Sequence, residues 1–208
     1  MYLKKEIDPI LKNSSHKFVG NLTYLSFIRR LSTAFKDLKF KYVTYDSFEK
    51  DDYSFSGLYD WDKNIKYIIL NLSSEEKSIY LTLDDYPYFE FNLSQAIQHE
   101  TIHQDQWQNR PDGIHQMDSF DFKEKNASKR EHMKYLSDED EIDAYGHDIA
   151  MEIKYFYPTR NPYSVLKDIN RTRKLYSYNY YKKTFRGVSW NNIKKKLFLK
   201  TFKWIEYV

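Results

Sequence analysis

Cysteine is absent from the 208 residues. The chain therefore holds no disulfide and no thiolate metal site, and it suits a reducing compartment such as the cytoplasm. Long apolar runs are absent too. No stretch approaches the ~20 apolar residues that cross a bilayer, so no membrane segment is expected. The first residues, Met1-Tyr2-Leu3-Lys4-Lys5-Glu6, form no apolar run and do not read as a secretory leader. Neither glycine nor proline occurs between Ser94 and Asn109, so nothing there interrupts a helix. The chain length supports one domain with a substantial core and an appendage.

The uninterrupted stretch contains His99-Glu100-Thr101-Ile102-His103, an HExxH motif. Positions i and i+4 of a helix stand one turn apart on one face. Two imidazoles so placed can share a zinc ion, and Glu100 beside the first can reach a zinc-bound water. Random placement of the chain's histidines and glutamates gives this motif in roughly one such chain in a hundred, so the context decides. Phe91-Asn92-Leu93-Ser94 offers Asn92 or Ser94 as an N-cap. Arg110-Pro111-Asp112-Gly113 stops the helix. Gln95, Gln98, Gln104, Asp105, Gln106 and Gln108 surround the histidines, with Leu93, Ala96, Ile97 and Ile102 as aliphatic anchors. A purely structural helix has a wider apolar stripe. This one suits the floor of a wet cleft.

Catalytic zinc takes three protein ligands and one open position. The metzincin pattern needs Gly at 106 and His at 109, and Gln106 and Asn109 exclude it. Two residues compete for the third place. Glu141 lies where Ser137 or Asp138 can cap a helix that runs on through Ala150 and Ile153. Glu141 and Tyr145 share a face of it, and Ile142, Ile149 and Ile153 form its apolar stripe. Its neighbours Asp138, Glu139 and Asp140 favour the positive end of that helix. The rival is His115, twelve positions after His103. His132 and His147 lack a supporting pattern.

HExxH followed by a helical Glu-x-x-Ala resembles the gluzincin metallopeptidases, above all their minimal single-domain forms. The matching residues are His99, Glu100, His103, Glu141 and Ala144. From Phe91 to Ile153 the text is similar to small metallopeptidases encoded by tailed bacteriophages. In these the motif runs into a glutamine-rich helix, and the later helix reads like Asp-Glu-Ile-Asp-Ala-Tyr. The resemblance implies a zincin-like α+β fold: a small sheet packed on the HExxH helix and a second, ligand-bearing helix. It implies Zn2+ held by His99, His103 and Glu141, Glu100 as general base, and a protein or peptide substrate. Under half of the chain is covered. The departure is Tyr145, where many gluzincins carry an Asp that orients a ligand histidine; Asp143 and Asp148 are available substitutes.

An HExxH with a later His is instead similar to the SprT-like proteases, which act on DNA-associated proteins. Asp112-Gly113-Ile114-His115 matches them loosely and lacks their His-Gly pair. A further alternative is a non-catalytic phage structural or nucleic-acid-binding protein on the same fold. Twenty Tyr and fourteen Phe beside many Lys and Asn suit an AT-rich coding sequence and a phage or low-GC bacterial origin. A phage-encoded chain would work in the host cytoplasm or with the virion.

Along the chain, Leu22, Leu25, Ile28, Leu31 and Phe35 predict a helix over 21–36. Strands are expected at 40–45, 66–72 and 78–83. With the motif helix and the Glu141 helix they make a zincin-like domain over 1–157. In such folds an edge strand above the motif helix can pair with extended substrate, as strand addition does generally; 78–83 is the expected edge. Residues 158–208 read as a basic, aromatic-rich helical extension. Residues 151–208 hold fourteen Lys/Arg and three Asp/Glu, a net of +11 in a chain of +3, which leaves −8 for the rest. Arg171-Thr172-Arg173-Lys174 and Tyr178 to Lys183 mix cations with rings that could meet phosphates and stack on bases. The same charge also suits solvated lysines on packed helices, because Trp190, Ile193, Leu197, Phe198, Thr201 and Ile205 share one face. The basic region can equally dock on the acidic Asp138–Glu141 stretch. Tyr145, His147 and His115 are candidate oxyanion donors.

Overall fold

The strongest strand signal, Lys66 to Leu72, forms the centre of a sheet. Strand β4 (Ile65–Ser73) lies between β2 (Leu38–Tyr45), which runs parallel to it, and β3 (Tyr53–Asp60), which runs antiparallel. The computed structural model describes residues 4–49, 52–110 and 128–208. The chain is α+β and divides by packing into two units, Met1–Gln108 and Asn109–Val208. No helix among the described residues is long and apolar enough to cross a membrane.

The first unit opens with helix α1 (Lys4–Phe18), strand β1 (Gly20–Thr23) and helix α2 (Tyr24–Ala34). The expected helix over 21–36 is thus shorter at its start, because Thr23 is its N-cap and accepts the Ser26 amide. Residues 20–23 pair instead with β5 (Ser78–Leu81) in a separate two-stranded sheet. That corrects the expected edge strand: β5 is no part of the three-stranded sheet, whose edges are β2 and β3. Strand β3 is not among the expected strands; Tyr53-Ser54-Phe55-Ser56 does alternate ring and polar residue, and Gly57 interrupts the run.

Helix α3 (Tyr86–Gln108) carries the motif and starts eight residues before Ser94. Its start is built by Thr82 and Asp85. The Thr82 amide and hydroxyl donate to the Asp85 carboxylate, and the Asp85 amide returns to Thr82 Oγ1 at 3.1 Å. Pro87 fits the first turn, where its missing N–H costs nothing. The proposed caps therefore lie inside the helix, and Ser94 Oγ accepts from Gln98 Nε2 at 2.9 Å. The first half of α3 is core: Phe89, Leu93 and Ile97 are fully buried with Phe18, Phe27, Leu31, Ile68 and Leu70. Around Phe89 the rings of Phe18, Phe27, Phe55 and Tyr86 centre at 5.5–5.7 Å.

The second unit is helical: α4 (Lys129–Leu136), α5 (Glu139–Phe156), α6 (Pro162–Lys167), a 3-10 turn at Ile169–Arg171, α7 (Tyr176–Thr184) and α8 (Gly187–Ile205). Its core gathers Ile142, Ile149 and Ile153 of α5 with Leu166, Tyr178, Tyr181, Ile193, Leu197 and Ile205. Residues after 157 therefore bury the apolar stripe of α5, and the packing division falls at 108/109 where the charge pattern suggests 157/158. Helix α8 comes so close to α5 that a Cβ on Gly146 would stand 2.6 Å from Lys200 Cβ. The basic region meets the Asp138–Glu141 stretch where Lys196 pairs with Glu139, and Lys203 pairs with Asp143, beyond that stretch, at 3.2 Å.

Candidate metal centre

One face of α3 presents His99 and His103, both half-buried, one turn apart. Their Nε2 atoms face each other at 3.2 Å. A tetrahedral zinc holding two imidazole nitrogens at ~2.0–2.1 Å separates them by about 3.3 Å, so the pair fits a shared ion. His103 Nδ1 stands 3.0 Å from Gln106 Oε1. An amide oxygen can only accept, so this contact is a hydrogen bond in the tautomer with the proton on Nδ1, the one that leaves Nε2 its lone pair. Sequence reading offers Asp143 and Asp148 as orienting partners of a ligand histidine; the side chain beside His103 Nδ1 is that of Gln106. Asp143 instead accepts from Trp204 Nε1 at 2.9 Å and pairs with Lys200 at 3.6 Å and Lys203. Asp148 lies 3.7 Å from His147.

His99, His103 and Glu141 form a group in which one ligand atom from each lies within 4.8 Å of the others, and Glu141 is 6 % exposed. Two imidazoles and a carboxylate are a donor set that zinc accepts in catalytic sites. Glu141 stands in the first turn of α5, behind the N-cap Asp138, whose carboxylate accepts the Asp140 amide at 2.9 Å. Arg110 pairs with Asp140 beside it. His115 lies outside the described residues. His132 is not in the group: its Nε2 meets the Tyr180 hydroxyl at 2.7 Å, and burial pushes its pKa down. His147 is buried with its ring edge-on to Trp204 at 5.1 Å. Tyr145, one turn after Glu141, packs on Tyr181 at 5.0 Å and Tyr180 at 5.9 Å.

Glu100 is buried at 4 % exposure against β3. A Cβ on Gly57 would stand 2.3 Å from Glu100 Oε1. A side chain at this position would have to displace the Glu100 carboxylate, and glycine leaves it room. Beyond Glu100, Lys66 Nζ donates to Gln104 Oε1 at 2.8 Å and to Thr101 Oγ1 at 3.3 Å. Gln104 Nε2 donates to Asn64 Oδ1 at 2.8 Å, which also accepts from the Tyr59 hydroxyl at 2.9 Å. Asn64 closes the β3–β4 turn with φ +52°, a conformation Asn tolerates better than most residues. Gly57, Lys66 and Gln106 escape the sequence reading. For Lys66 a signal existed, a lone cation in the apolar alternation Lys66, Ile68, Leu70, Leu72.

Comparison with protein-family models, with curated proteins and with solved structures finds no match to this chain.

Proposed function

We propose that the chain is a zinc-dependent peptidase of the gluzincin kind, with His99, His103 and Glu141 as ligands and Glu100 as general base. The observation that carries this reading is the convergence of those three ligand atoms within 4.8 Å next to a buried Glu100. Zinc bound there would lower the pKa of a water toward ~7 and polarise a scissile carbonyl. Glu100 takes the proton of the attacking water on its carboxylate and delivers it to the leaving amine. Gly57 and the strand above keep that carboxylate on the motif-helix side of β3. Gln106 holds the His103 ring in the tautomer that leaves Nε2 free to ligate. The edge strand β3 takes the place first given to 78–83 as the strand an extended substrate would pair with. Cysteine-free composition suits work in a cytoplasm, and a phage origin would make that the host's.

The nucleic-acid reading draws less support from the C-terminal helices. Tyr178 and Tyr181 are fully buried and cannot stack on bases. Lys196, Lys200 and Lys203 of α8 are paired with acids of α5. The exposed cations Arg171, Arg173, Lys174, Lys182 and Lys183 remain as a possible polyanion contact.

The test is metal analysis of the purified protein with hydrolysis of labelled casein. The wild type should bind one zinc, His103→Ala and Glu141→Ala should lose it, and Glu100→Gln should keep it while cleavage stops. Full zinc occupancy in Glu141→Ala would remove that ligand from the set. Zinc binding without any cleavage would turn the reading toward a structural or binding protein.

A further inference from the structure

Lys66 is a buried charge that the proposed chemistry leaves unused. On β4 every second residue from 66 to 72 is buried: Ile68, Leu70 and Leu72 at no more than 2 % exposure, and Lys66 at 6 %. Lysine is almost never so buried unless its ammonium has partners, because desolvating the charge is costly. Burial pushes its pKa down, and the negative charges of Asp37 and Glu100 pull it back up.

Strand register explains why Glu100 is among those charges. Lys66 stands opposite Tyr59, and Ile68 opposite Gly57. Lys66 is therefore the diagonal neighbour of Gly57 on one face of the sheet. Gly57 is the residue whose missing Cβ makes room for the Glu100 carboxylate. The ammonium is also fixed in direction. It donates to Thr101, the residue after Glu100, and to Gln104, one helical turn further on. Gln104 in turn ties the helix to Asn64 in the β3–β4 turn. Helix rotation and strand position are thus referred to one side chain.

We propose that Lys66 is a positioning residue for Glu100: a fixed cation that holds the carboxylate against β3 and, through Thr101 and Gln104, sets the rotation of the motif helix. The role rests on the reading of Glu100 as general base. An ion-pair strut without that role would stabilise the fold and nothing else.

The experiment compares full-length wild type, Lys66→Met, Lys66→Arg and Gln104→Leu. Zinc affinity is read by competition titration, casein hydrolysis gives kcat and KM, and denaturant gives stability. Lys66→Met should lower kcat by about 10- to 100-fold, the usual range for residues that orient a metal site's groups. KM should stay within about twofold, since substrate binding is untouched. Zinc affinity should hold or rise, because a like charge near the ion has gone. Lys66→Arg should restore most of kcat, and Gln104→Leu should lower it in the same direction. Zinc affinity falling in step with stability, or an unchanged kcat, would overturn the proposal. Should Lys66→Met fail to fold, Lys66→Arg and Gln104→Leu carry the same comparison. If the wild type binds zinc yet cleaves nothing, the peptidase reading falls and the catalytic side of the Lys66 role with it, and denaturation then tests only the coupling of Lys66 to Glu100. Denaturation of Lys66→Met, Glu100→Gln and the double variant should then be non-additive; additive shifts would reject it.

Discussion

Two of the three buried glutamates among the described residues, Glu100 in the first unit and Glu152 in the second, show how differently the same side chain is used. Glu152 on α5 is 2 % exposed and accepts the Ser177 amide at 3.0 Å and the Ser177 hydroxyl at 2.8 Å. It closes the open N–H end of α7, where a carboxylate is favoured by the helix dipole. Glu100 on α3 is 4 % exposed, yet it closes no helix end. It lies against a glycine of β3, next in sequence to a histidine whose ring nitrogen faces a second one. Burial alone does not separate a structural carboxylate from a reactive one. The surroundings do: the amide and hydroxyl of Ser177 in one case, an imidazole pair and a buried lysine in the other.

The sharpest way to break this contrast is to neutralise each in turn. Glu100→Gln is expected to lower kcat by about 10²- to 10⁴-fold, the usual worth of a general base, with zinc content and the denaturation midpoint kept. Glu152→Gln is expected to cost about 1–3 kcal/mol of stability, because a buried partner is left unsatisfied, with kcat per folded molecule unchanged. Exchanged outcomes would reverse the assignment of the two residues.

The two close-approach glycines offer the next contrast. Gly57→Ala and Gly146→Ala should each destabilise by about 1–3 kcal/mol through overpacking. Only Gly57→Ala should also depress kcat, since its Cβ displaces Glu100; equal kcat in both would show that Glu100 position is immaterial. A smaller effect is expected at Gln106. Gln106→Leu should weaken zinc by about 10- to 100-fold, while Asp143→Asn should leave zinc affinity unchanged; competition titration distinguishes them.

The smallest effect is a pH dependence confined to the second unit. Burial holds the His132 pKa below its ordinary 6.5. Below 6.5 the unfolded chain takes up a proton that the folded chain resists, so stability declines as pH falls from there toward the folded value. Denaturant midpoints above and below 6.5 should show that slope, and His132→Gln should remove it.

The parts legible in the sequence are those with a short repeat or a fixed spacing. The spacing of the motif histidines, the β4 alternation and the buried face of α8 at Ile193, Leu197, Thr201 and Ile205 follow from period 2 or 3.6, whereas Glu141 stands out only through the Glu-x-x-Ala resemblance. What escaped depends on pairing between distant segments. Strand β3 becomes a strand because β4 supplies its ladder, and Gly57 matters only because Glu100 arrives opposite it. The start of α3 escaped because Thr82 and Asp85 cap it from outside the apolar run. Tyr178 and Tyr181 looked available for stacking because spacing does not say which side of α7 the other helices cover.

Helix α3 does two jobs along one axis, with core residues Phe89, Leu93 and Ile97 in its first half and the ligand pair after them. The count of residues between them puts the two halves in phase, and Lys66 and Asn64 hold the second half there through Thr101 and Gln104. One residue inserted between Ile97 and Gln98 would leave the first half seated and turn both histidines by about 100° about the axis. A chain altered in that way would keep the Phe89, Leu93 and Ile97 packing and lose the candidate metal site, so the length of this helix encodes a phase angle as much as a span.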